Sequence, residues 1–259
     1  MIKVGIIGGS GLDDPKLLKD AKEFHITTPF GEPSSPLTVG SIEGKEVVIL
    51  SRHGRNHTIP PTQVNYRANI QALKRQNCTH ILATTACGSL REEIKRGDIV
   101  ILDQFIDLTR FRPITFFETF PPGAENAKHT PMADPFSELL RQRLIATAKQ
   151  LGLNFHKTGT VITIEGPRFS TRAESRMFRI WGADVVNMSL APEVILANET
   201  GIPYAAVAIS TDYDCWKTDE APVDWSEVLK IFETNVRNVK NLLLQTIRSL
   251  DGALPEGSP

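Results

Sequence analysis

The chain has 259 residues, which is enough to bury a sizeable core in one large α/β domain or two smaller domains. Hydrophobic residues make up 41% of the sequence and charged residues 23%, so the composition excludes disordered and fibrous classes of protein. The formal net charge of -1 provides no general attraction to nucleic acid or to an anionic membrane surface.

Apolar runs rich in β-branched residues recur along the chain and are typical of buried strands. The predicted strands are 2–7, 46–50, 80–85, 98–102, 159–164, 184–187 and 204–210. Helical patterns lie between or after several of these strands, at 63–76, 135–151, 172–181, 192–200 and 225–250. The alternation predicts a single α/β domain over 1–251, with a central mixed, largely parallel twisted sheet flanked by helices.

Two segments fall outside this alternation. Residues 109–133 are rich in Pro, Phe and Thr and are predicted to be irregular, and a loop of that length is usually functional or contacts a partner. Residues 252–259 are rich in Gly, Pro and Ser and are predicted to form a flexible tail.

The expected location is the cytoplasm. The first residues show no secretory leader pattern, and no apolar run approaches the length of about 18 residues that a membrane helix needs. The three cysteines are an odd number at wide spacing, which fits reduced thiols better than a disulfide framework.

Three closely spaced glycines follow the first predicted strand, in the sequence GIIGGSGLDD. A dinucleotide fingerprint has the spacing G-x-G-x-x-G, but Gly9 and Gly11 are followed by Asp14 where the third glycine should stand. The residues at 30–32, FGE, do not fit the acid expected at the end of a second strand. This pattern argues against a dinucleotide-dependent oxidoreductase.

Unusual sequences also follow other predicted strands, at the carboxyl ends where ligands of open α/β sheets gather. TTACGS at 84–89 and NMS at 187–189 combine small residues with hydroxyls, and RHGR at 52–55 supplies a guanidinium and an imidazole. Each sequence alone is compatible with a tight turn or a helix cap. Together they predict a site for a free phosphate, formed by hydroxyls, backbone N–H groups and an arginine.

Asp212 and Asp214 follow the last predicted strand and are separated by Tyr213. If the extended conformation continues, both carboxylates point to the same side. Such a pair can coordinate a metal, act as acid and base, or accept hydrogen bonds from the exocyclic amine of a ligand, and a solvated turn is the alternative.

His53 and His57 have the i, i+4 spacing of a metal motif. Gly54 and the prolines at 60–61 oppose a helix there, and no acid lies between the two histidines. No metal site is therefore predicted.

The sequence TRAE at 171–174 is a capping box, so the side chains of Thr171 and Glu174 are expected to start a helix. The preceding sequence EGPRFS, at 165–170, is then the stretch left to line a site. Met188 fits either the core or the wall of a site for a sugar or ring.

The motifs GIIGGSGLDD, RHGRNHTIPP, TTACGSL, IEGPRFSTRAES, GADVVNMSLAPE and STDYDCW occur in this order over residues 3–250. Together they resemble the S-methyl-5'-thioadenosine phosphorylases of the trimeric purine nucleoside phosphorylase superfamily. The resemblance implies a salvage reaction in which inorganic phosphate splits methylthioadenosine into adenine and 5-methylthioribose 1-phosphate. It also implies that no metal or organic cofactor takes part. A related preference for adenosine, inosine or methylthioinosine stays open.

The resemblance also implies roles for individual residues. The implied phosphate ligands are Ser10, Arg52, His53, Thr85, Ala86 and Ser189. The implied nucleoside contacts are Met188 at the ribose and Asp212, Tyr213 and Asp214 at the purine. Asp212 and Asp214 would carry the catalysis, with Asp212 as the general acid toward the leaving base.

Two further positions would set specificity: Ser170 on the side of the base, and Trp225 next to the 5'-substituent. Trp225 is bulkier than the small aliphatic residue common in the family at that place. The family is homotrimeric, and His129 is the candidate for a group that reaches a neighbouring site. A non-catalytic nucleotide-binding module is the second class of function that the sequence allows.

Overall fold

The computed structural model describes residues 2–8, 17–220 and 224–250. Within them, eleven strands form one mixed sheet. The strands are β1 (Lys3–Gly8), β2 (Lys19–Phe24), β3 (Leu37–Ile42), β4 (Lys45–Ser51), β5 (His80–Ser89), β6 (Ile99–Ile101), β7 (Gln104–Leu108), β8 (Phe155–His156), β9 (Thr160–Ile164), β10 (Val185–Asn187) and β11 (Tyr204–Asp212). The helices are α1 (Tyr66–Arg75), α2 (Glu138–Gln150), α3 (Arg172–Ile180), α4 (Leu190–Thr200) and α5 (Trp225–Ser249). Ser10 and the predicted tail at 252–259 lie outside the described residues.

Strand β5 is the centre of the sheet. It runs parallel to β1 and β11 along its length and pairs antiparallel with β10 at its far end. Strands β4, β3 and β2 extend the sheet beyond β1, while β9 and β7 extend it beyond β10. Most pairings are parallel, which confirms the predicted mixed, largely parallel sheet.

The two faces of the sheet are covered by different helices. Successive strand residues point to opposite faces, so the residues of β1 contact the helices on both sides. Val4 and Ile6 of β1 pack in the cluster that contains residues of α2 and α5. Ile7 packs in the other large cluster, with residues of α1 and α4. The core is therefore a layer of apolar side chains on each face, as the buried strands predicted.

Helix boundaries follow local capping. Helix α1 begins after Asn65, whose side chain accepts a hydrogen bond from the backbone N–H of Ala68, and not at the predicted residue 63. The predicted capping box at Thr171 and Glu174 is present at the start of α3. Gly201 ends α4 in the left-handed conformation, with φ of +72°.

The segment 109–133 is irregular, as predicted, apart from a short 3-10 turn at Ala124–Asn126. No helix within the described ranges is both long and apolar enough to cross a membrane.

Candidate active site

A cavity of about 480 Å³ opens where β4, β5, β10 and β11 end. The parallel pairing of β4, β1, β5 and β11 brings their carboxyl ends to one edge. Strand β10 pairs antiparallel with the end of β5, so the last residue of β10, Asn187, lies at the same edge and also lines the cavity. Sequence-predicted residues that line this cavity are Arg52, His53, Thr85, Ala86, Ser170, Met188, Ser189, Asp212, Asp214 and Trp225.

Tyr213, implied as a nucleoside contact, does not line the cavity, and His129, implied to reach a neighbouring site, lies away from it. The ring of Tyr213 instead faces the Nζ atom of Lys217, which lies 4.1 Å from the ring centroid. His129 is exposed on the irregular segment, with its ring 5.8 Å from that of Phe120.

Gly88 allows β5 to lie directly against the carboxylate of Asp212. A Cβ atom at Gly88 would lie 2.9 Å from Asp212 Oδ1 and 3.2 Å from Val186 Cγ1. The register of β11 also shifts between Ser210 and Asp212, at the end of its pairing with β5. The glycine and the register shift together leave space for the Asp212 carboxylate between the two strands.

The Asp212 carboxylate is largely buried and holds two hydrogen bonds. Thr211 Oγ1 donates to Oδ2 at 2.9 Å, and the backbone N–H of Asp214 donates to Oδ1 at 2.8 Å. Burial raises the pKa of Asp212 to about 6, and the charge of Asp214 adds to the rise, although both hydrogen bonds oppose it. Asp212 can therefore hold a proton close to neutral pH.

Asp214 reaches the cavity through a turn and not through strand alternation, so the condition of a continued extended conformation is not met. Strand β11 ends at Asp212, and Asp214 has a φ of +46° and starts a 3-10 turn. The hydrogen bond from Asp214 N to Asp212 Oδ1 closes a separate side-chain-to-backbone turn just before it. Burial raises the pKa of Asp214, and the nearby hydroxyls of Ser175 and Ser170 oppose the rise.

Arg52 is buried and ion-paired with Glu193, a residue that the sequence reasoning missed. Its Nε and Nη2 donate to the two carboxylate oxygens at 2.5 and 2.9 Å, and Nη1 donates to the carbonyl of Thr84 at 2.8 Å. Burial alone would lower the pKa of Arg52, but Glu193 raises it, so the guanidinium stays charged. The Tyr204 hydroxyl is a further hydrogen-bond neighbour of Arg52, so only an N–H group of Nη1 or Nη2 beyond these contacts can donate to an anion in the cavity.

The imidazole of His53 is neutral at physiological pH. Burial, together with the neighbouring charge of Arg52, lowers its pKa to about 4. Its Nδ1 lies 2.9 Å from the carbonyl of Ile59, which can only accept, so Nδ1 carries the proton. Nε2 is then a hydrogen-bond acceptor.

The rings of His53, His57 and Trp225 form a row along the cavity wall. The centroids of the two histidines lie 4.6 Å apart, and those of His57 and Trp225 lie 5.7 Å apart. Across the ranges that the structure describes, no cluster of three or more His, Cys, Asp or Glu could hold a metal ion.

Asn187 is a second residue that the sequence reasoning did not single out as a site residue. Its Nδ2 donates to Thr85 Oγ1 at 3.3 Å, and its Oδ1 accepts from Thr163 Oγ1 at 2.8 Å. Its position inside the NMS sequence at a strand end is the signal that could have identified it. Asn187 thereby holds the hydroxyl of Thr85 at the cavity.

Met188 packs closely over the loop that precedes α3. Gly166 in that loop has a φ of +66°, and a Cβ atom there would lie 2.5 Å from Met188 Sδ. Phe169 comes from the predicted lining stretch 165–170, and apolar residues not predicted from the sequence complete the wall: Ile59, Pro60, Pro61 and Val228. The cavity therefore combines charged and hydroxyl groups with apolar surface for a ring or sugar.

The family model of the phosphorylase superfamily matches residues 3–248. The chain belongs to this superfamily. The chain is 58% identical to an S-methyl-5'-thioadenosine phosphorylase of Xenopus tropicalis, over 95% of this chain and 88% of that protein. It is 54% identical to the enzyme of the same name from Danio rerio, with the same coverage.

Solved structures agree with these relatives. A methylthioadenosine phosphorylase from Schistosoma mansoni in complex with adenine has a TM-score of 0.91 and 46% identity, covering 97% of this chain and 93% of that one. A mutant of the adenosine/methylthioadenosine phosphorylase from the same organism, in complex with methylthioadenosine, has a TM-score of 0.89 and 46% identity at the same coverage. This chain therefore has the fold of an enzyme family that acts on nucleosides.

Proposed function

We propose that this chain cleaves S-methyl-5'-thioadenosine with inorganic phosphate, releasing adenine and 5-methylthioribose 1-phosphate. The observation that carries the proposal is the position of Asp212, a largely buried acid with a pKa of about 6, in one cavity with Arg52 and the hydroxyl of Thr85. The relatives named above, and the adenine and methylthioadenosine bound to the Schistosoma mansoni proteins, support it.

The chemistry requires an acid on one side of the glycosidic bond and an anion on the other. As the bond to the base breaks, positive charge develops on the ribose and negative charge on the purine. Protonated Asp212 supplies the proton that neutralises the departing purine at N7. The attacking phosphate stabilises the ribose cation and then bonds to its anomeric carbon.

On the phosphate side we place Arg52, His53, Thr85, Ala86 and Ser189, together with Ser10 outside the described residues. The outer N–H groups of Arg52 donate to phosphate oxygens. Neutral His53 accepts at Nε2, which suits a phosphate that still carries a proton. Inorganic phosphate is a substrate in this scheme, and we propose that neither a metal nor an organic cofactor is required.

On the nucleoside side, Met188 packs against the ribose and Asp214 and Ser170 face the purine. A carboxylate accepts hydrogen bonds from the 6-amino group of adenine, whereas a 6-oxo group is itself an acceptor. A preference for inosine or methylthioinosine is therefore not favoured. Trp225 lies at the cavity wall beside His57 and is proposed to limit the size of the 5'-substituent.

We further propose that the enzyme is a cytoplasmic homotrimer in which His129 reaches the 5' end of a neighbouring site. Its exposed position on the segment 109–133 supports this role. Light scattering tests the assembly: the trimer has three times the mass of the 28.7 kDa chain, and a monomer mass would contradict it.

A substrate panel tests the proposed specificity. We expect kcat/KM for methylthioadenosine to exceed that for adenosine, and both to exceed the values for inosine and methylthioinosine. A preference for the 6-oxopurine nucleosides would contradict the placement of the two carboxylates at the base.

A further inference from the structure

Arg112 is a buried charged residue in a segment whose other residues are exposed or half-buried. Between residues 103 and 134, all of which are described, it is the only buried residue, at 7% exposure. Its neighbour Phe111 is 78% exposed. A lone buried arginine is costly unless its N–H groups are paired, so its partners indicate what it holds.

The guanidinium of Arg112 uses its whole hydrogen-bonding capacity on the protein. Nε donates to Glu165 Oε1 at 2.9 Å. Nη1 donates to the hydroxyl of Tyr66 at 3.0 Å and to the carbonyl of Met188 at 2.6 Å. Nη2 donates to the carbonyls of Glu165 and, at 3.5 Å, Ile164. Since no N–H remains for a ligand, Arg112 is not itself a binding group.

Its partners form, or directly support, three walls of the cavity. Met188 and Ile164 line the cavity themselves, and Glu165 precedes its lining residues Pro167, Phe169 and Ser170. The Tyr66 hydroxyl donates in turn to the carbonyl of Pro61, which lines another wall, at 3.0 Å. One side chain outside the cavity thus connects the ribose-side methionine, the loop 165–170 and the 59–61 turn.

Glu165 fixes Arg112 from the other side. Its Oε2 accepts from the backbone N–H groups of Arg110, at 2.5 Å, and Phe111, at 3.3 Å. Burial would raise the pKa of Glu165, but these bonds and Arg112 lower it below its ordinary value, so the carboxylate stays charged. The irregular segment is thereby attached to the loop 165–170.

We propose that Arg112 is a positioning residue for the nucleoside half of the site, an inference that rests on the function proposed above. It holds the distance between the Met188 wall and the loop 165–170, where the ribose and the base would bind. Two central residues of the phosphate half depend on other contacts: Arg52 is held by Glu193 and Thr84, and Thr85 by Asn187. Only Ser189 directly follows a partner of Arg112, the Met188 carbonyl. Loss of Arg112 should therefore weaken nucleoside binding more than phosphate binding.

The test compares Arg112→Met and Arg112→Lys with Arg141→Met. Arg141 is a matched control because it is equally buried, at 6% exposure, and donates to the carbonyls of Leu102 and Lys157, yet does not line or adjoin the cavity. We expect Arg112→Met to raise the nucleoside KM about tenfold or more and the phosphate KM less than about threefold. The nucleoside KM of Arg112→Lys should lie between those of the wild type and Arg112→Met, because an ammonium has fewer donors than a guanidinium. Arg141→Met should lower the Tm but leave both KM values unchanged.

Adenine binding, measured by calorimetry without phosphate, separates this proposal from the proposed function because it needs no turnover. The Kd should rise about tenfold in Arg112→Met and stay constant in Arg141→Met. If Arg112→Met does not fold, Arg112→Lys and Glu165→Gln carry the same comparison with smaller rises. Unchanged nucleoside KM and adenine Kd, equal rises in both substrates' KM values, or the same rises in Arg141→Met would overturn the positioning role. If the wild-type protein binds adenine but forms none from methylthioadenosine and phosphate, the proposed function is contradicted and the positioning role is not.

Discussion

Among single residues, Asp212 has the most direct part in the proposed chemistry. Asp212→Asn keeps the size of the side chain but removes the acidic proton, so we expect kcat for methylthioadenosine to fall about a hundredfold or more. The phosphate KM should change less than about threefold, because Asp212 is not a phosphate ligand. Steady-state kinetics with each substrate varied check this, with the exposed Asp219→Asn as the control. A rise in the phosphate KM as large as the fall in kcat would contradict the placement of Asp212 at the base.

The raised pKa of Asp212 also predicts how stability depends on pH. The folded protein keeps a proton between the ordinary pKa of 3.8 and about 6 that the unfolded chain releases. Stability is therefore lost as pH rises through this window, by up to about 3 kcal/mol. Asp212→Asn should be more stable than the wild type at pH 7.5, with the difference shrinking toward pH 4. Urea unfolding at several pH values measures it, and a difference independent of pH would contradict the raised pKa.

Arg52 and Glu193 allow stability to be separated from phosphate binding. Arg52→Ala should raise the phosphate KM and also destabilise the fold by about 3–5 kcal/mol, since Glu193 is left buried without its partner. The double variant Arg52→Ala/Glu193→Ala should recover part of the stability but none of the phosphate affinity. Unfolding curves and phosphate titrations of both variants check this. A phosphate KM that recovers together with stability would contradict direct contact between Arg52 and phosphate.

At the scale of elements, the close contact between β5 and β11 shapes the catalytic wall. Gly88→Ala would place a Cβ 2.9 Å from Asp212 Oδ1, so either the carboxylate or a strand must move. We expect a loss of about 1–3 kcal/mol of stability together with a marked fall in kcat. Gly152→Ala, at a glycine with φ of +64° and open space around it, should lose stability but keep kcat. Thermal unfolding and kinetics of the two variants make the comparison, and an unchanged kcat in Gly88→Ala would contradict it.

The elements that could be predicted from the sequence are those with an apolar pattern of their own, which marks them as buried whatever they pair with. Strands β1, β5 and β11 have long apolar runs, and all three were predicted to within a few residues. Strand β2, with the exposed sequence KDAKEF, forms at the sheet edge by pairing with β3, and neither was predicted. Strands β7 and β8 were also missed, because short strands defined by a distant partner have little local signal.

The same limit applies to the candidate site. Residues at strand ends could be predicted, because parallel strands bring their carboxyl ends to one edge, and most of them do line the cavity. Glu193 and Arg112 could not, because each is defined by a partner far away in the sequence. Tyr213 does not line the cavity; its role was implied by the resemblance and not by the strand pattern, and its ring faces Lys217.

At the scale of the whole molecule, the sheet brings groups from widely separated parts of the chain to one cavity. Arg52 follows β4, Thr85 lies within β5 and Asp212 ends β11, and the segment 109–133 adds Arg112 behind the walls. This arrangement places the proposed acid and the proposed phosphate ligands within one nucleoside-sized space. The reaction that fits it consumes phosphate in the same step that releases the base.

The most direct measurement of that claim follows methylthioadenosine with the purified protein in the presence and absence of phosphate. Phosphorus NMR identifies the sugar product, and chromatography quantifies adenine. We predict adenine release only with phosphate, with one equivalent of 5-methylthioribose 1-phosphate formed for each adenine. Adenine release at the same rate without phosphate, with free methylthioribose as the product, would show a hydrolase and contradict the proposed function.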